Sequence, residues 1–371
     1  MFTLLKALRR STAWAGPEDN ALSAGSRGDY AAVLKISQPP ALKGEAWAQF
    51  NMGVMYDNGQ GMVQDYAEAA KWFRLAAQQG YASAQFNLGV MYSNGHGLVQ
   101  DYAEAVKWFR LAAQQGVSSS QYNLGLMYGK GQGVVQDYAE AAEWYRLAAQ
   151  QGNASAQYNL GVMYANGQGL LQDFAEAVKW YRLAAQQGYA SAQYNLGVMY
   201  ANGQGLVQDY AEAVKWYRLA AQQGYSSAQS NLGFVYSNGQ GVVQDYAEAV
   251  KWYRLAAQQG NASAQYNLGV MYNNGQGLVQ DFAEAVNWYR LAAQQGNTSA
   301  QSNLGVAYEK GQGVVQDYVK AHCWSNLAAV KGDAISVKNR DILASRMTSE
   351  QIAEAQKLAR DCQANQFRGC D

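Results

Sequence analysis

The side chains that most often carry catalysis are scarce in this 371-residue chain. It contains two histidines, His96 and His322, and three cysteines, with no His-x-x-x-His and no Cys-x-x-Cys pair. A zinc site needs three or four such ligands, and a histidine-based triad needs its histidine beside a nucleophile. We therefore predict no catalytic residue, no metal site and no cofactor.

Paired carboxylates and glycine-rich loops are the remaining candidates for chemistry. Asp101 and Glu104 could act as acid and base, but the same pair occurs in all but one of the copies described below. Its spacing is also that of a helix cap and first-turn acid, which is the interpretation we favour. The repeated Gly-x-Gly, as in Gly59-Gln60-Gly61, lacks the third glycine, strand and Lys-Ser/Thr partner of a phosphate loop, and indicates a turn.

These features recur because the chain repeats one unit of 36 residues. Closing glycines keep this step from Gly44 to Gly332, so eight repeats fill residues 45–332. A fixed period of this length predicts a solenoid. The repeated aspartates are Asp65, Asp101, Asp137, Asp173, Asp209, Asp245, Asp281 and Asp317, and a tryptophan follows each by seven residues.

Each repeat predicts two helices. In residues 81–116 the first helix lies near 82–93, with Ala84, Leu88 and Tyr92 on one buried stripe. Two glycines break it, and Asp101 caps a second helix near 102–115, with Glu104 completing a variant of the capping box.

The second helix has a predicted inward stripe of its own. Ala105, Trp108, Leu111 and Ala112 form it, with Trp108 as the largest core residue of the repeat. The small residues beside it allow close approach of helix backbones.

The ends of the array are expected to differ from its repeats. We predict a poorly defined segment over 1–28 and, over 29–44, a degenerate half-repeat that ends early at Pro39-Pro40. Over 333–371 we predict a capping helix and tail. A capping box at Thr348 opens this helix, which runs to about Ala359 and covers repeat eight.

Charge and composition exclude several partner classes. Lys+Arg and Asp+Glu both number 28, so we expect neither nucleic acid nor anionic lipid as a partner. No apolar stretch reaches the length of a membrane span, and the N-terminus lacks the order of a signal peptide. We expect a cytoplasmic protein as the sequence stands, or a periplasmic or secreted one if the true N-terminus carries a signal. Cys362 and Cys370 could then pair, whereas in the cytoplasm they would stay reduced.

The repeat is similar to a known family. Its pattern is A-x-A-Q-x-x-L-G-x-x-Y-x-x-G-x-G-V-x-x-D-Y-x-E-A-x-x-W-[YF]-x-x-A-A-x-x-G, which resembles the Sel-1-like repeat, a relative of the tetratricopeptide repeat. The resemblance implies a bacterial, all-α protein: a right-handed α/α superhelical solenoid of antiparallel helix pairs used for protein–protein interaction. We therefore expect a non-enzymatic scaffold or adaptor whose partner is a protein or peptide.

An alternative function follows from the same resemblance. Some cysteine-rich relatives have been described as penicillin-binding or β-lactam-hydrolysing, but this chain has no Ser-x-x-Lys, no Lys-Thr-Gly and no cysteine in repeats one to seven. An exported or envelope-associated factor that engages host or cell-wall components stays open. Weak β-lactam hydrolase activity is its least favoured form.

The expected binding surface is the side of the first helices opposite the stripe of Ala84 and Leu88, which in this architecture lines the concave face. Aromatic and thioether side chains there would grip an extended peptide, and asparagine amides would bond its backbone. The same residues could instead only pack neighbouring first helices. The predicted binding residues are Phe50, Phe86, Tyr122, Tyr158, Tyr194, Tyr266, Met91, Met127, Met163 and Met199.

Overall fold

A computed structural model describes residues 16–365 together with residues 367 and 370. This part of the chain forms twenty α-helices and no strand, which confirms the expected all-α repeat solenoid. None of its helices is both long and apolar enough to cross a membrane. Most of the segment expected to be poorly defined, residues 1–15, lies outside the described residues.

The chain forms two compact units, Met1–Leu183 and Ala184–Asp371, and the division falls within one helix, Phe174–Gln186. The first unit contains α1 (Pro17–Ser26), α2 (Tyr30–Leu42), α3 (Ala46–Asn58), α4 (Tyr66–Gln78), α5 (Ala82–Asn94), α6 (Tyr102–Gln114), α7 (Ser118–Lys130), α8 (Tyr138–Gln150), α9 (Ala154–Asn166) and most of α10 (Phe174–Gln186). The second contains the end of α10, α11 (Ala190–Asn202), α12 (Tyr210–Gln222), α13 (Ser226–Asn238), α14 (Tyr246–Gln258), α15 (Ala262–Asn274), α16 (Phe282–Gln294), α17 (Thr298–Lys310), α18 (Tyr318–Val330), α19 (Ala334–Ala344) and α20 (Ser349–Ala364).

Each repeat is one helix pair, with α3, α5 and the following odd helices to α17 as first helices and α4 to α18 as second helices. The first helix ends at a left-handed glycine, for example Gly95 with φ of 72°. The second begins at an aspartate: the Asp101 carboxylate accepts the backbone N–H groups of Ala103 at 2.9 Å and Glu104 at 3.0 Å. The predicted cap is confirmed, whereas the Glu104 carboxylate pairs with Lys107 at 2.5 Å instead of completing a capping box.

The second loop glycine is required by a close backbone contact. A Cβ on Gly97, whose φ is 67°, would lie 2.3 Å from the carbonyl carbon and oxygen of Tyr66, at the start of the preceding second helix. Any larger residue would push the two repeats apart. The Gly-x-Gly segment is therefore a connector, as predicted.

The core of a repeat differs from the expected one on the second helix. Phe109 is buried between the two helices, whereas Trp108 is half-buried against the cluster around the preceding second helix and Leu111 is 44% exposed. The prediction of Trp108 and Leu111 as the inward stripe is thus wrong, because the buried positions of α6 centre on Phe109. Gly89 makes room for this ring, since a Cβ there would lie 2.7 Å from it. The equivalent rings are Phe73, Tyr145, Tyr181, Tyr217, Tyr253 and Tyr289.

Buried glutamines connect one repeat to the next. The Gln85 amide donates to the carbonyl oxygen of Ala77 at 3.1 Å, and its own oxygen accepts from Gln115 at 2.8 Å. In repeat eight Lys331 replaces the donating glutamine, so the buried Gln301 Oε1 has no partner among the described residues. The same pair of bonds is made by Gln49, Gln121, Gln193, Gln229 and Gln265.

At the N-terminal end, α1 packs against α2, which lies in the segment expected to be a degenerate half-repeat. Helix α2 continues through Pro39 and Pro40 to Leu42, so the predicted early end is wrong. Each proline removes only one backbone N–H donor. Both prolines lie in the last turn of α2, and the helix continues for only two residues after them.

At the C-terminal end, two helices cover the last repeat where one was expected. The Thr348 capping box is present, and α20 runs five residues beyond the predicted Ala359. It packs against α18, in which Trp324 is fully buried. Cys362 of this helix forms a disulfide with Cys370, with Cα atoms 5.0 Å apart.

Candidate partner-binding face of the first helices

The surface with the expected aromatic side chains follows one edge of each first helix. On α5 it consists of Phe86, Asn87 and Val90, which are half-buried, and of Asn94, which is exposed. These positions are spaced so that the side chains form one line along the helix. We call them, with their equivalents on the other first helices, the first-helix face.

The methionines do not belong to this face. Met91, Met127, Met163 and Met199 are 3%, 4%, 5% and 6% exposed, so the surface position expected for them is wrong. Met91 lies seven residues after the buried Ala84, which is within about 20° of two full helical turns. The thioethers therefore point mainly into the core, although Met127 and Met163 also line the two pockets described below.

The aromatic positions are half-buried, and each ring contacts the core ring of its own repeat. Phe86 lies 6.0 Å from Phe109 between ring centroids, at a tilt of 44°. Part of each ring remains exposed, so packing and partner contact are compatible at these positions. The other pairs are Phe50 with Phe73, Tyr122 with Tyr145, Tyr158 with Tyr181, Tyr194 with Tyr217 and Tyr266 with Tyr289, at 5.8 to 6.1 Å.

Repeats six and eight lack an aromatic ring at this position. Their serines, Ser230 and Ser302, are buried. In repeat six, however, Phe234 replaces the usual valine one helical turn later and is 49% exposed. Sequence analysis missed this residue, although its departure from the repeat pattern was visible.

In three repeats an asparagine of the face hydrogen-bonds the core tyrosine of the preceding repeat. Burial raises the pKa of Tyr145 far above its usual value, and the Asn159 side chain hydrogen-bonds its hydroxyl. In the second unit, burial raises the pKa of Tyr217 to about 12, and Asn231 bonds its hydroxyl. These phenols stay protonated at neutral pH, and the asparagine amides orient them.

Two asparagines of the first unit are not used in this way. Repeats one and two carry Phe73 and Phe109 in place of tyrosine, so Asn87 and Asn123 have no hydroxyl to bond. Within the described part of the chain neither amide has a hydrogen-bond partner. These amides are available to the backbone of a ligand.

Two adjacent pockets open on the first-helix face of the first unit. The larger, of about 240 Å³, lies between α7 and α9, and the smaller, of about 190 Å³, lies between α5 and α7. Leu126 and Lys130 line both. The lining supplies amides, phenols, apolar side chains and one cation, but no carboxylate.

The histidines and the possible metal ligands lie apart from this face or from one another among the described residues. No group of three or more His, Cys, Asp or Glu side chains there is placed to hold a metal ion. His322 is buried beside Arg340 and Asp341, and burial lowers its pKa. His96 lies in a loop against the ring of Tyr66, at 5.4 Å between centroids.

Known proteins that this chain resembles share its repeats. A family model described as Sel1 repeat matches residues 48–81, 82–117, 118–153, 154–189, 190–225, 226–261, 262–297 and 298–333. The structure is similar to a protective antigen of uropathogenic Escherichia coli that displays the same repeat fold, with 32% identity, coverage of 95% of this chain and 93% of that one, and a TM-score of 0.52. It is also similar to a Sel1 repeat protein of Oxalobacter formigenes, with 34% identity, coverage of 66% and 96%, and a TM-score of 0.59. The comparison with curated proteins finds no match.

Proposed function

Because this chain belongs to the Sel1 repeat family, whose members are typically protein-interaction scaffolds, we propose that it is a non-enzymatic adaptor that binds an extended segment of a partner protein. The family is generally non-catalytic. The proposed binding surface is the first-helix face, and its best-equipped part is in the first unit.

The observation that carries this proposal is the combination of half-exposed rings and unused amides along α5, α7 and α9. Exposed ring surface, as at Tyr122 and Tyr158, offers apolar contact, and the Asn123 amide can bond a peptide backbone. Packed helices lie about 8–10 Å apart and an extended chain advances roughly 3.3–3.6 Å per residue, so each repeat meets about three ligand residues.

A peptide library tests the proposal without a known partner. Random dodecapeptides are selected on the full chain, and selected peptides are synthesised and measured by fluorescence anisotropy. Replacement of Tyr122 and Tyr158 by Ala should weaken binding about fivefold or more, since each aromatic contact contributes about 0.5–1.5 kcal/mol. Circular dichroism should show unchanged helicity in the variant.

A matched control uses apolar side chains that stand outside this face. Val99, Val135 and Leu171 lie in the loops and are almost fully exposed. Their replacement by Ala should leave the affinity unchanged. Loss of binding in this loop variant, with full binding in the tyrosine variant, would refute the first-helix face as the site.

A second candidate role is that of an exported or envelope-associated adaptor. The disulfide between Cys362 and Cys370 favours it, because such bonds persist mainly in oxidising compartments. The similar Escherichia coli protein is described as a protective antigen. Non-reducing peptide mapping of protein quenched in its native cells tests this role: two reduced thiols would contradict it.

A further inference from the structure

Repeat three departs from the repeat pattern at three positions of α7. Leu126 stands where most repeats have valine, Gly129 is the one glycine at its position, and Lys130 replaces the asparagine of most repeats. All three residues line the larger pocket. The three unusual residues thus lie together at one pocket, as expected if repeat three contacts a distinct part of a ligand.

Lys130 is also an isolated charge. Among the first helices from α5 to α15 it is the one charged residue of the sequence. Its side chain is exposed, and no carboxylate of the described residues forms an ion pair with it. A lone cation between two neutral, amide-bearing pockets selects for an anionic group.

The position of Lys130 at the end of α7 indicates how much negative charge the anionic group carries. It is the last residue of α7, where the helix carries partial negative charge on its free carbonyl groups. A phosphate, with nearly two negative charges, is usually met by several donors or by arginine. One lysine at a helix C-terminus is better matched by a single carboxylate.

We propose that these two pockets receive neighbouring side chains of the bound segment, and that Lys130 pairs with an aspartate or glutamate in it. Leu126, between the pockets, contacts an apolar side chain next to this acid, and the Asn123 amide bonds the segment backbone. The proposal rests on the proposed function. It adds a specificity to the binding surface, namely that the ligand carries an acidic residue opposite repeat three.

The test compares peptide selections on four forms of the full chain. Random dodecapeptides are selected in parallel on the wild type, on Lys130→Asn, on Lys130→Glu and on Lys310→Asn. The last is a matched control, since Lys310 has the same register in repeat eight. Affinities of the best wild-type peptide and its Asp→Asn or Glu→Gln counterpart are then measured by fluorescence anisotropy.

The wild type and Lys310→Asn should enrich Asp and Glu at one peptide position. Lys130→Asn should lose this enrichment, and Lys130→Glu should replace it by Lys or Arg. The acidic peptide should bind Lys130→Asn about two- to fivefold more weakly than wild type, as for an exposed ion pair. Salt at 1 M should reduce the wild-type affinity to a similar degree.

Three results would overturn the inference in distinguishable ways. Peptides that depend on Tyr122 and Tyr158 but not on Lys130 would refute the acidic specificity and leave the proposed function intact. Absence of any selected peptide, or binding insensitive to the tyrosine substitutions, would refute both. A stronger dependence on Lys130 for a phosphoserine version of the peptide than for the Asp version would refute the choice of a carboxylate.

Discussion

Addition of one methyl group at either of two glycines on α7 should have opposite effects on stability. A Cβ on Gly125 would lie 2.6 Å from two ring carbons of Tyr145, whereas a Cβ on Gly129 would meet only the Cβ of Ala141, at 3.8 Å. Carbon atoms pack at about 3.5–4.0 Å, so the Tyr145 ring must move by about 1 Å in Gly125→Ala.

The magnitude follows from two opposing contributions. Glycine to alanine within a helix stabilises by up to about 1 kcal/mol, and this gain is similar in both variants. Overpacking in Gly125→Ala costs about 1–3 kcal/mol. Gly129→Ala should therefore raise the free energy of unfolding by up to about 1 kcal/mol, and the two variants should differ by about 1–3 kcal/mol.

The assay is urea unfolding followed by circular dichroism, with hydrogen exchange to locate the change. A repeat array need not unfold in one step, so protection of α7 and α8 is compared with that of the distant repeats. In a Tyr145→Ala background the clash is absent, and Gly125→Ala should become stabilising. If Gly125→Ala and Gly129→Ala have equal effects in the wild-type background, the packing of Tyr145 on Gly125 is refuted.

Three further predictions concern the chain of buried glutamines that connects the repeats, which we call the relay, the core phenols and the tail. Gln115→Ala should destabilise by about 1–3 kcal/mol in urea unfolding, because the buried oxygen of Gln85 loses its donor. Burial raises the pKa of Tyr217 to about 12, so its contribution to stability is complete below pH 10 and lost as the pH rises from 10 through 12; absorbance at 295 nm should show late-ionising tyrosines. Reduction of the Cys362–Cys370 disulfide should destabilise the docked tail by about 2–3 kcal/mol, with faster hydrogen exchange in α20.

Each of these has a control or a contradicting result. Gln114→Ala, at the exposed neighbouring position, should be neutral, and an equal loss in both variants would contradict the relay. Ionisation of all tyrosines in one step near pH 10, with helicity retained, would contradict burial of the phenols. Reduction that leaves α20 exchange unchanged would show that packing alone holds the tail.

The period and the local signals predicted much of the fold. Glycines and aspartates at a fixed step gave the positions of both helices in every repeat, because loop breaks and N-caps depend on a few neighbouring residues. The Thr348 capping box was likewise predicted correctly. Helix α19 was missed, because its apolar pattern is weak. Pro39-Pro40 were expected to end α2 early, but a proline in the last turn of a helix does not by itself show where the helix stops.

The candidate site was predicted less well. The aromatic row was found, but Met91 was assigned to the surface and Trp108 to the interior of the repeat. A helical pattern places residues only to within a fraction of a turn, and the adjacent Trp108 and Phe109 are both large and apolar. Which ring enters the core depends on Gly89 of the facing helix, a contact absent from any single-helix pattern.

The sequence alone determined the repeat, its helix boundaries and the scarcity of catalytic side chains, because each depends on residue type and local spacing. Tertiary structure decided which side chains are exposed and which amides are used. It also formed the two pockets that Leu126 and Lys130 line, because the other lining residues come from neighbouring helices and repeats. Contacts between helices of different repeats set these features, and they depend on distances that no sequence period specifies.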